Sequence, residues 1–132
     1  MFSGGMVTVF VSDMDKAVRF YTEVLGLKLG FRSDNEWASI KAGDGLVIGL
    51  HPASIDSPAG RKGSITLGLQ LTEPIQKAVP VLKKRGVKFR GSIVEDKGIW
   101  FAYFEDPDGN ELYLADLNKA CEDYADGAII GS

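Results

Sequence analysis

The most informative stretch for the fold lies near the end of the chain, Trp100-Phe-Ala-Tyr-Phe-Glu-Asp-Pro-Asp-Gly-Asn-Glu-Leu-Tyr-Leu-Ala115. Its two arms are rich in aromatic and aliphatic residues, and Asp106-Pro107-Asp108-Gly109 between them supplies a preset φ at proline and a left-handed position at glycine. These features predict a β-hairpin. Side chains alternate along a strand, so Glu111, Tyr113 and Ala115 should share one face of the second arm.

The first half of the chain carries strand and helix signals in a definite order. Residues 6–11 are a β-rich run, Ser12 or Asp13 offers an N-cap, and residues 14–25 have apolar side chains at helical spacing. Gly26 then suits the left-handed end of a helix. Three short strands are predicted next, at residues 27–32, 37–42 and 46–51. The first half therefore predicts β-α-β-β-β.

The second half repeats this order after a connector. Residues 52–63 are dominated by turn-forming residues and carry no apolar period. A strand follows at 64–71, and Thr72 can cap a helix that ends at Gly86, with Pro80 expected to kink it or to displace its start. Further strands are predicted at residues 89–94, 98–105 and 110–115.

The repeat predicts both the domain organisation and the place of a ligand. We expect a single domain over residues 1–132, with module one at about 5–51, the connector at 52–63, module two at about 64–116 and a C-terminal tail at 117–132. A four-stranded sheet with a helix on one face leaves its other face uncovered. The predicted fold class is therefore α+β, with two tandem β-α-β-β-β modules whose sheets form a concave, partly closed cleft suited to a ligand.

The composition is that of an ordinary globular chain. Of 132 residues, 45% are hydrophobic and 25% charged, and the net charge of −3 argues against nucleic acid or anionic membranes as partners. No apolar stretch approaches bilayer length, and no signal-peptide pattern opens the sequence. The single cysteine, Cys121, can form no intrachain disulfide, which favours a cytoplasmic location.

Two sets of motifs resemble the vicinal oxygen chelate superfamily, which groups glyoxalase I, extradiol dioxygenases and the fosfomycin- and bleomycin-resistance proteins. One set is Val11-Ser12-Asp13 with Phe20-Tyr21 and Leu25-Gly26-Leu27, and the other is the hairpin of residues 104–110. The resemblance covers residues 7–115. It implies the two-module fold expected above, but it does not specify one activity.

The resemblance also implies where the metal-dependent members hold their metal, on the first and last strands of each module. Carried over by motif, these positions fall on Met6, Gly49, Ser64 and Tyr113. None of them offers the imidazole or carboxylate that divalent transition metals prefer, and the chain has one histidine. We therefore predict a metal-free member with no cofactor.

The same positions define a predicted ligand-binding face, because strand alternation places further side chains beside them. Phe101 and Tyr103 occupy positions that resemble ligand contacts in the fosfomycin-resistance branch. The predicted ligand-binding residues are Met6, Thr8, Phe10, His51, Ser64, Thr66, Phe101, Tyr103, Glu111 and Tyr113. This set is aromatic and mildly polar, which suits the stacking of a flat or amphipathic organic molecule and the attraction of a cation.

We interpret the chain as a protein that binds such a molecule, as in drug or toxin sequestration, and the resemblance implies a homodimer. An enzyme of the lyase, isomerase or dioxygenase type stays open, with His51 and Glu111 as the acid–base candidates. A structural or regulatory dimer without a ligand is the third interpretation. It is left open because aromatic strand pairs such as Phe101 and Tyr103 are as typical of a core as of a ligand site.

Overall fold

The computed structural model describes Met1, residues 5–60 and residues 66–117. The first half forms β1 (Val7–Val11), α1 (Met14–Arg19), a π-helical turn (Phe20–Val24), β2 (Lys28–Ser33), β3 (Trp37–Ala42) and β4 (Leu46–Pro52). The second half forms β5 (Thr66–Gln70), α2 (Ile75–Lys84), β6 (Phe89–Asp96), β7 (Ile99–Glu105) and β8 (Glu111–Asp116). This order confirms the predicted α+β fold built from two β-α-β-β-β repeats.

The two sheets have equivalent strand orders. The first runs β1-β4-β3-β2 and the second β5-β8-β7-β6. In the first sheet β1 and β4 are parallel, whereas β3 is antiparallel to both of its neighbours. Contacts divide the described chain into a first unit, residues up to 60 with Glu105–Glu111, and a second unit, residues 66–104 with 112–117. The loop that joins β7 to β8 therefore belongs to the first unit, although both strands belong to the second sheet.

The start of α1 distinguishes between the two candidate capping residues. The Asp13 side chain accepts a hydrogen bond from the backbone N–H of Lys16 at 3.1 Å, which makes Asp13 the N-cap. Ser12 interacts instead with the loop between β7 and β8. The helix continues into the wider π-helical turn and ends before Gly26, whose φ of +79° confirms the predicted left-handed position.

The start of α2 differs from the expectation. The helix begins at Ile75 after Pro74, so the predicted cap at Thr72 is wrong. Asp116, at the end of β8, takes over this role because its carboxylate accepts a hydrogen bond from the backbone N–H of Ile75 at 2.9 Å. Pro80 lies inside α2, so the helix start is not displaced to it. A capping group distant in sequence has replaced the local one.

One face of the first sheet forms the core of the first unit. Alternate residues of β1, β3 and β4 are buried, and α1 contacts β3 and β4. The buried residues of this core are Val9, Val11, Met14, Ala17, Val18, Tyr21, Ala38, Ile40, Ile48 and Leu50. The strand register places Phe10, Trp37, Gly49 and His51 on the opposite face.

The second unit buries apolar side chains on both faces of its sheet. The buried residues of α2 and of the strands of this unit include Leu67, Leu69, Ile75, Ala78, Val79, Leu82, Ala102, Phe104, Leu112 and Leu114. On the other face Ile99, Phe101, Ala115 and Leu117 form an apolar cluster against which Tyr103 and Tyr113 pack.

Some sequence predictions fall outside the described residues, namely the site residue Ser64, the tail beyond residue 117 and Cys121. Within the described ranges, neither helical segment has the length and apolar character that crossing a bilayer requires.

Candidate functional site

Hydrogen bonds in the first unit join the two sets of motifs that carry the family resemblance. Asp106 lies at their centre. The Tyr21 hydroxyl and the Asn110 side-chain amide each donate to Asp106 Oδ2 at 2.9 Å. The backbone N–H groups of Asp108 and Asn110 donate to Asp106 Oδ1 at 2.9 and 2.8 Å. Four donors thus surround this carboxylate, which satisfies the buried polar group.

Both acidic groups of this network have shifted pKa values. Burial raises the pKa of the Tyr21 phenol well above its ordinary value, and the nearby charge of Asp106 adds to the effect. Burial also raises the pKa of Asp106, although the hydrogen bonds from Asn110, Tyr21 and Asp108 lower it. Ionisable groups with shifted pKa values often mark active sites. Here Tyr21 is 0% and Asp106 5% exposed, so no substrate reaches them and their role is structural.

A second contact ties the end of β1 to the same loop. The Asp108 carboxylate accepts hydrogen bonds from the Ser12 backbone N–H at 3.1 Å and from the Ser12 hydroxyl. The side-chain amide of Asn110 also reaches the carbonyl oxygen of Phe10 at 3.4 Å. Gly60 also packs against this loop and has a φ of +70°. A Cβ at Gly60 would lie 2.0 Å from the carbonyl oxygen of Asp108. The motifs that identify the family therefore hold the fold together.

The face of the first sheet opposite its core carries three rings arranged around Gly49. A Cβ at Gly49 would lie 2.2 Å from Cη2 of Trp37, so the indole covers this residue. Thr8 pairs with Gly49 in the sheet, and Phe10 pairs with His51. The His51 ring lies 5.7 Å from that of Phe10 and 6.4 Å from that of Trp37, edge-on to both. We call Phe10, Trp37 and His51 the aromatic face.

A groove of about 500 Å³ lies beside the aromatic face. The described residues that line it are Ser33, Glu36, Trp37, His51 and Pro52. Its volume is in the range of small-molecule pockets, about 300–1,000 Å³. Nδ1 of His51 lies 2.9 Å from the carbonyl oxygen of Pro52, which makes Nδ1 the donor and leaves Nε2 as the second polar atom of the ring.

Trp37 is absent from the residues that the sequence predicts to bind a ligand, although a signal for it exists. A glycine inside a strand often marks the close approach of another group. Ser39 pairs with Gly49, and Trp37 lies two residues from Ser39 on the same face. A large ring at this position can therefore reach across β4 and lie over the glycine.

The residues at the implied metal positions do not fit a metal ion. Met6 offers a thioether, Gly49 has no side chain and Tyr113 offers a phenol, whereas Ser64 lies outside the described residues. Trp37 also fills the space above Gly49 that a ligating side chain would need. Among the residues that the structure describes, no three His, Cys, Asp or Glu side chains come together as a metal site. The donor set therefore disagrees with the metal that the resemblance implies.

The second unit has an aromatic group of its own. The rings of Tyr103 and Tyr113 lie 5.5 Å apart, and Phe101 contacts both of them. Tyr113 packs on Gly68, where a Cβ would lie 2.4 Å from its Cζ atom. Phe101 is 8% exposed and belongs to the apolar cluster of the second unit. Thr66, in contrast, is exposed.

The two acid–base candidates have different surroundings. His51 is exposed, donates to its own strand and packs near Phe10 and Trp37, so its ring contacts are aromatic. Glu111 is half-buried and already takes part in an interaction. A general base is normally oriented by a hydrogen-bonded partner. The acid–base role of this pair stays a prediction.

The two four-stranded sheets, each with its helix, place the chain among the α+β proteins built from two β-α-β-β-β modules. The family model described as Glyoxalase/Bleomycin resistance protein/Dioxygenase superfamily matches residues 5–114. The chain belongs to this superfamily. No curated protein sequence matches it.

Solved structures support the same assignment. TnmS3, an antibiotic-binding protein from Streptomyces sp. CB03234, is 27% identical with a TM-score of 0.72, and the match covers 88% of this chain and 96% of TnmS3. A member of the superfamily from Sphaerobacter thermophilus DSM 20745 is 26% identical with a TM-score of 0.72, covering 88% of this chain and 98% of that one. Lactoylglutathione lyase from Agrobacterium tumefaciens shares the fold alone. It is 17% identical with a TM-score of 0.69, and the match covers 87% of this chain and 94% of the lyase.

Proposed function

We propose that this protein binds a small aromatic or amphipathic organic molecule without a metal ion, and that the aromatic face makes the main contact. The observation that carries the proposal is the position of Trp37 over Gly49. At a position where the resemblance implies a metal ligand, β4 has no side chain and an indole occupies the space. Stacked aromatic rings stabilise a complex by about 0.5–1.5 kcal/mol beyond the area they bury.

Two further observations support small-molecule binding. The groove beside the aromatic face is lined by an indole, an imidazole and a proline ring together with the polar side chains of Ser33 and Glu36. This mixture of apolar walls and a few polar groups is typical of ligand sites. In addition, TnmS3, which is similar to this chain over 88% of its length, is an antibiotic-binding protein. Sequestration of a drug or toxin is the role we propose.

The sequence predicts further ligand contacts besides the three rings of the aromatic face. Thr8 lies on the aromatic face beside Gly49 and can offer a hydroxyl to the ligand. Met6, Thr66, Phe101, Tyr103, Glu111 and Tyr113 stay predictions as further ligand contacts, and Ser64 stays one without a described position.

Tryptophan fluorescence tests the proposal, because the chain has two tryptophans. Trp100→Phe leaves Trp37 as the single indole reporter. We expect planar aromatic amines and polycyclic antibiotics to quench its emission saturably and to raise the melting temperature. A ligand at one hundred times its Kd stabilises the native state by about 2.7 kcal/mol. Trp37→Leu should lose the thermal stabilisation, whereas Trp100→Phe, the matched control, should keep it.

Two results would overturn the proposed function. One is a stoichiometric transition metal, measured by elemental analysis, in protein purified without a chelator. The other is thermal stabilisation of Trp37→Leu by the same ligands at the same concentrations as the wild type. Turnover of a ligand that His51→Ala abolishes would favour the enzyme interpretation instead.

We further propose a cytoplasmic homodimer. β2 lies at the edge of the first sheet, and its Leu29 and Phe31 side chains are 47% and 61% exposed. An edge strand that presents apolar side chains is a template for pairing with another chain. Sedimentation velocity should show a dimer for the wild type, and Phe31→Lys should shift it towards the monomer. A monomeric wild type would contradict this.

A further inference from the structure

We propose that the groove beside the aromatic face selects a planar aromatic cation, with Trp37 as the stacking ring and the Glu36 carboxylate as the counter-charge. This inference rests on the proposed function and adds the charge of the ligand to it.

The groove is acidic. Glu36 is exposed and is the charged side chain among the described lining residues, whereas the others are Ser33, Trp37, His51 and Pro52. The turn between β2 and β3 holds it in place, because the Glu36 backbone N–H donates to the Ser33 carbonyl at 2.9 Å. Glu36 and Trp37 both line the groove, so the carboxylate and the indole face the same space.

Among the residues that the structure describes, no basic side chain lines the groove beside Glu36. Arg32 is ion-paired with Asp15 at 2.5 Å and also donates to the carbonyl oxygen of Asp34 at 2.8 Å. It pairs with Ala38 in the sheet, so alternation points it to the face opposite Trp37. Lys41 shares the face of Trp37 but lies four residues farther along β3, with its side chain near Gly30, and it is not among the described residues that line the groove.

The neighbouring rings favour the same ligand. Tryptophan is the best aromatic partner for a cation, which it attracts within about 6 Å of its ring. A planar cation stacked on Trp37 would keep its ring against the indole and its charge near the carboxylate of Glu36. Nε2 of neutral His51 is an acceptor and can take a hydrogen bond from an N–H group of the ligand, because Nδ1 already donates to Pro52.

The test compares two three-ring probes of opposite charge, 9-aminoacridine as the cation and 9-anthracenecarboxylate as the anion. Binding is measured by quenching of Trp37 in the Trp100→Phe protein at low and at physiological salt. We expect the cation to bind more tightly than the anion, and less tightly as salt rises. Glu36→Gln should weaken binding of the cation about threefold to fivefold. Glu23→Gln, which removes an exposed charge from the same unit outside the groove, should leave it unchanged.

The outcomes separate this inference from the proposed function. Equal affinity for the two probes, or an unchanged affinity for the cation in Glu36→Gln, would overturn the inference and leave the aromatic face as the binding site. Failure of Trp37→Leu to weaken either probe, measured by the change in probe fluorescence, would overturn both.

Discussion

Tyr21→Phe should destabilise the protein by about 2 kcal/mol at neutral pH. The phenyl ring keeps the packing of a side chain that is 0% exposed, and the change removes the hydroxyl that donates to Asp106 at 2.9 Å. A hydrogen bond to a charged group contributes about 1.5–3 kcal/mol. The carboxylate keeps its three donors from Asp108 and Asn110, which places the loss near the middle of that range.

Thermal and urea unfolding at pH 7 measure this loss. Unfolding entropy scales with length, and for 132 residues a change of 1 kcal/mol corresponds to about 3–4 °C, so the melting temperature should fall by about 7 °C. Tyr103→Phe is the control, because Tyr103 is half-buried and its hydroxyl makes no hydrogen bond to the described residues. It should melt within about 2 °C of the wild type.

The stability difference between the wild type and Tyr21→Phe should decrease at high pH. Burial, and after it the charge of Asp106, raises the pKa of Tyr21 in the folded state above its unfolded value of about 10. The stability that this shift contributes is fully present below pH 10 and is lost as the pH rises through the folded-state pKa. The advantage of the wild type over Tyr21→Phe should therefore shrink steadily as the pH rises above 10.

Two results would refute this reasoning. A melting temperature of Tyr21→Phe equal to that of the wild type at pH 7 would show that the hydrogen bond contributes nothing. A stability difference that stays constant or grows above pH 10 would show that the phenol ionises as easily in the folded chain as in the unfolded one.

Three further substitutions test individual contacts. Gly49→Ala should push Trp37 off β4, cost about 1–3 kcal/mol in urea unfolding and shift the indole emission in the Trp100→Phe background, because its Cβ would lie 2.2 Å from the ring. Asp116→Ala removes the acceptor for the first N–H of α2 and should cost about 1–2 kcal/mol, with faster hydrogen exchange in the first helical turn. Gly60→Ala combines a left-handed φ of +70° with a 2.0 Å clash and should lower the melting temperature by several degrees, about 1–3 kcal/mol.

A matched control exists for the glycine substitutions. A Cβ at Gly45 meets nothing within 4 Å, so Gly45→Ala should be close to neutral. Equal stability of Gly49→Ala and Gly45→Ala would mean that the indole does not rest on β4. An unchanged rate of hydrogen exchange in the first turn of α2 in Asp116→Ala would mean that the helix start does not need the Asp116 carboxylate as a hydrogen-bond acceptor.

Local signals in the sequence predicted most of the secondary structure. Strand alternation, apolar helical spacing and turn residues act between near neighbours, so they can be read without the fold. The left-handed glycines at positions 26, 86 and 109 show this, since each has a positive φ where the sequence predicted a helix end or a turn. Helix starts were less predictable. Thr72 offered a local cap for α2, but the carboxylate of Asp116, 41 residues from Ile75, provides the acceptor.

The site was predictable only in part. Alternation correctly placed Thr8, Phe10 and His51 on the sheet face of Gly49. It did not show that Phe101 packs into an apolar cluster, because burial depends on residues brought together from several strands. It also left out Trp37, whose contact with Gly49 crosses from one strand to the next.

The doubled β-α-β-β-β order, the family and the lack of metal-ligating side chains at the implied positions follow from the type and spacing of residues along the chain. The roles of the remaining residues follow from the folded arrangement. It turned Tyr21, Asp106 and Asp108 into a buried network that holds the fold, and it placed an indole over Gly49. The physical reason is that burial and contact between strands depend on pairing register and on distances between residues far apart in the chain.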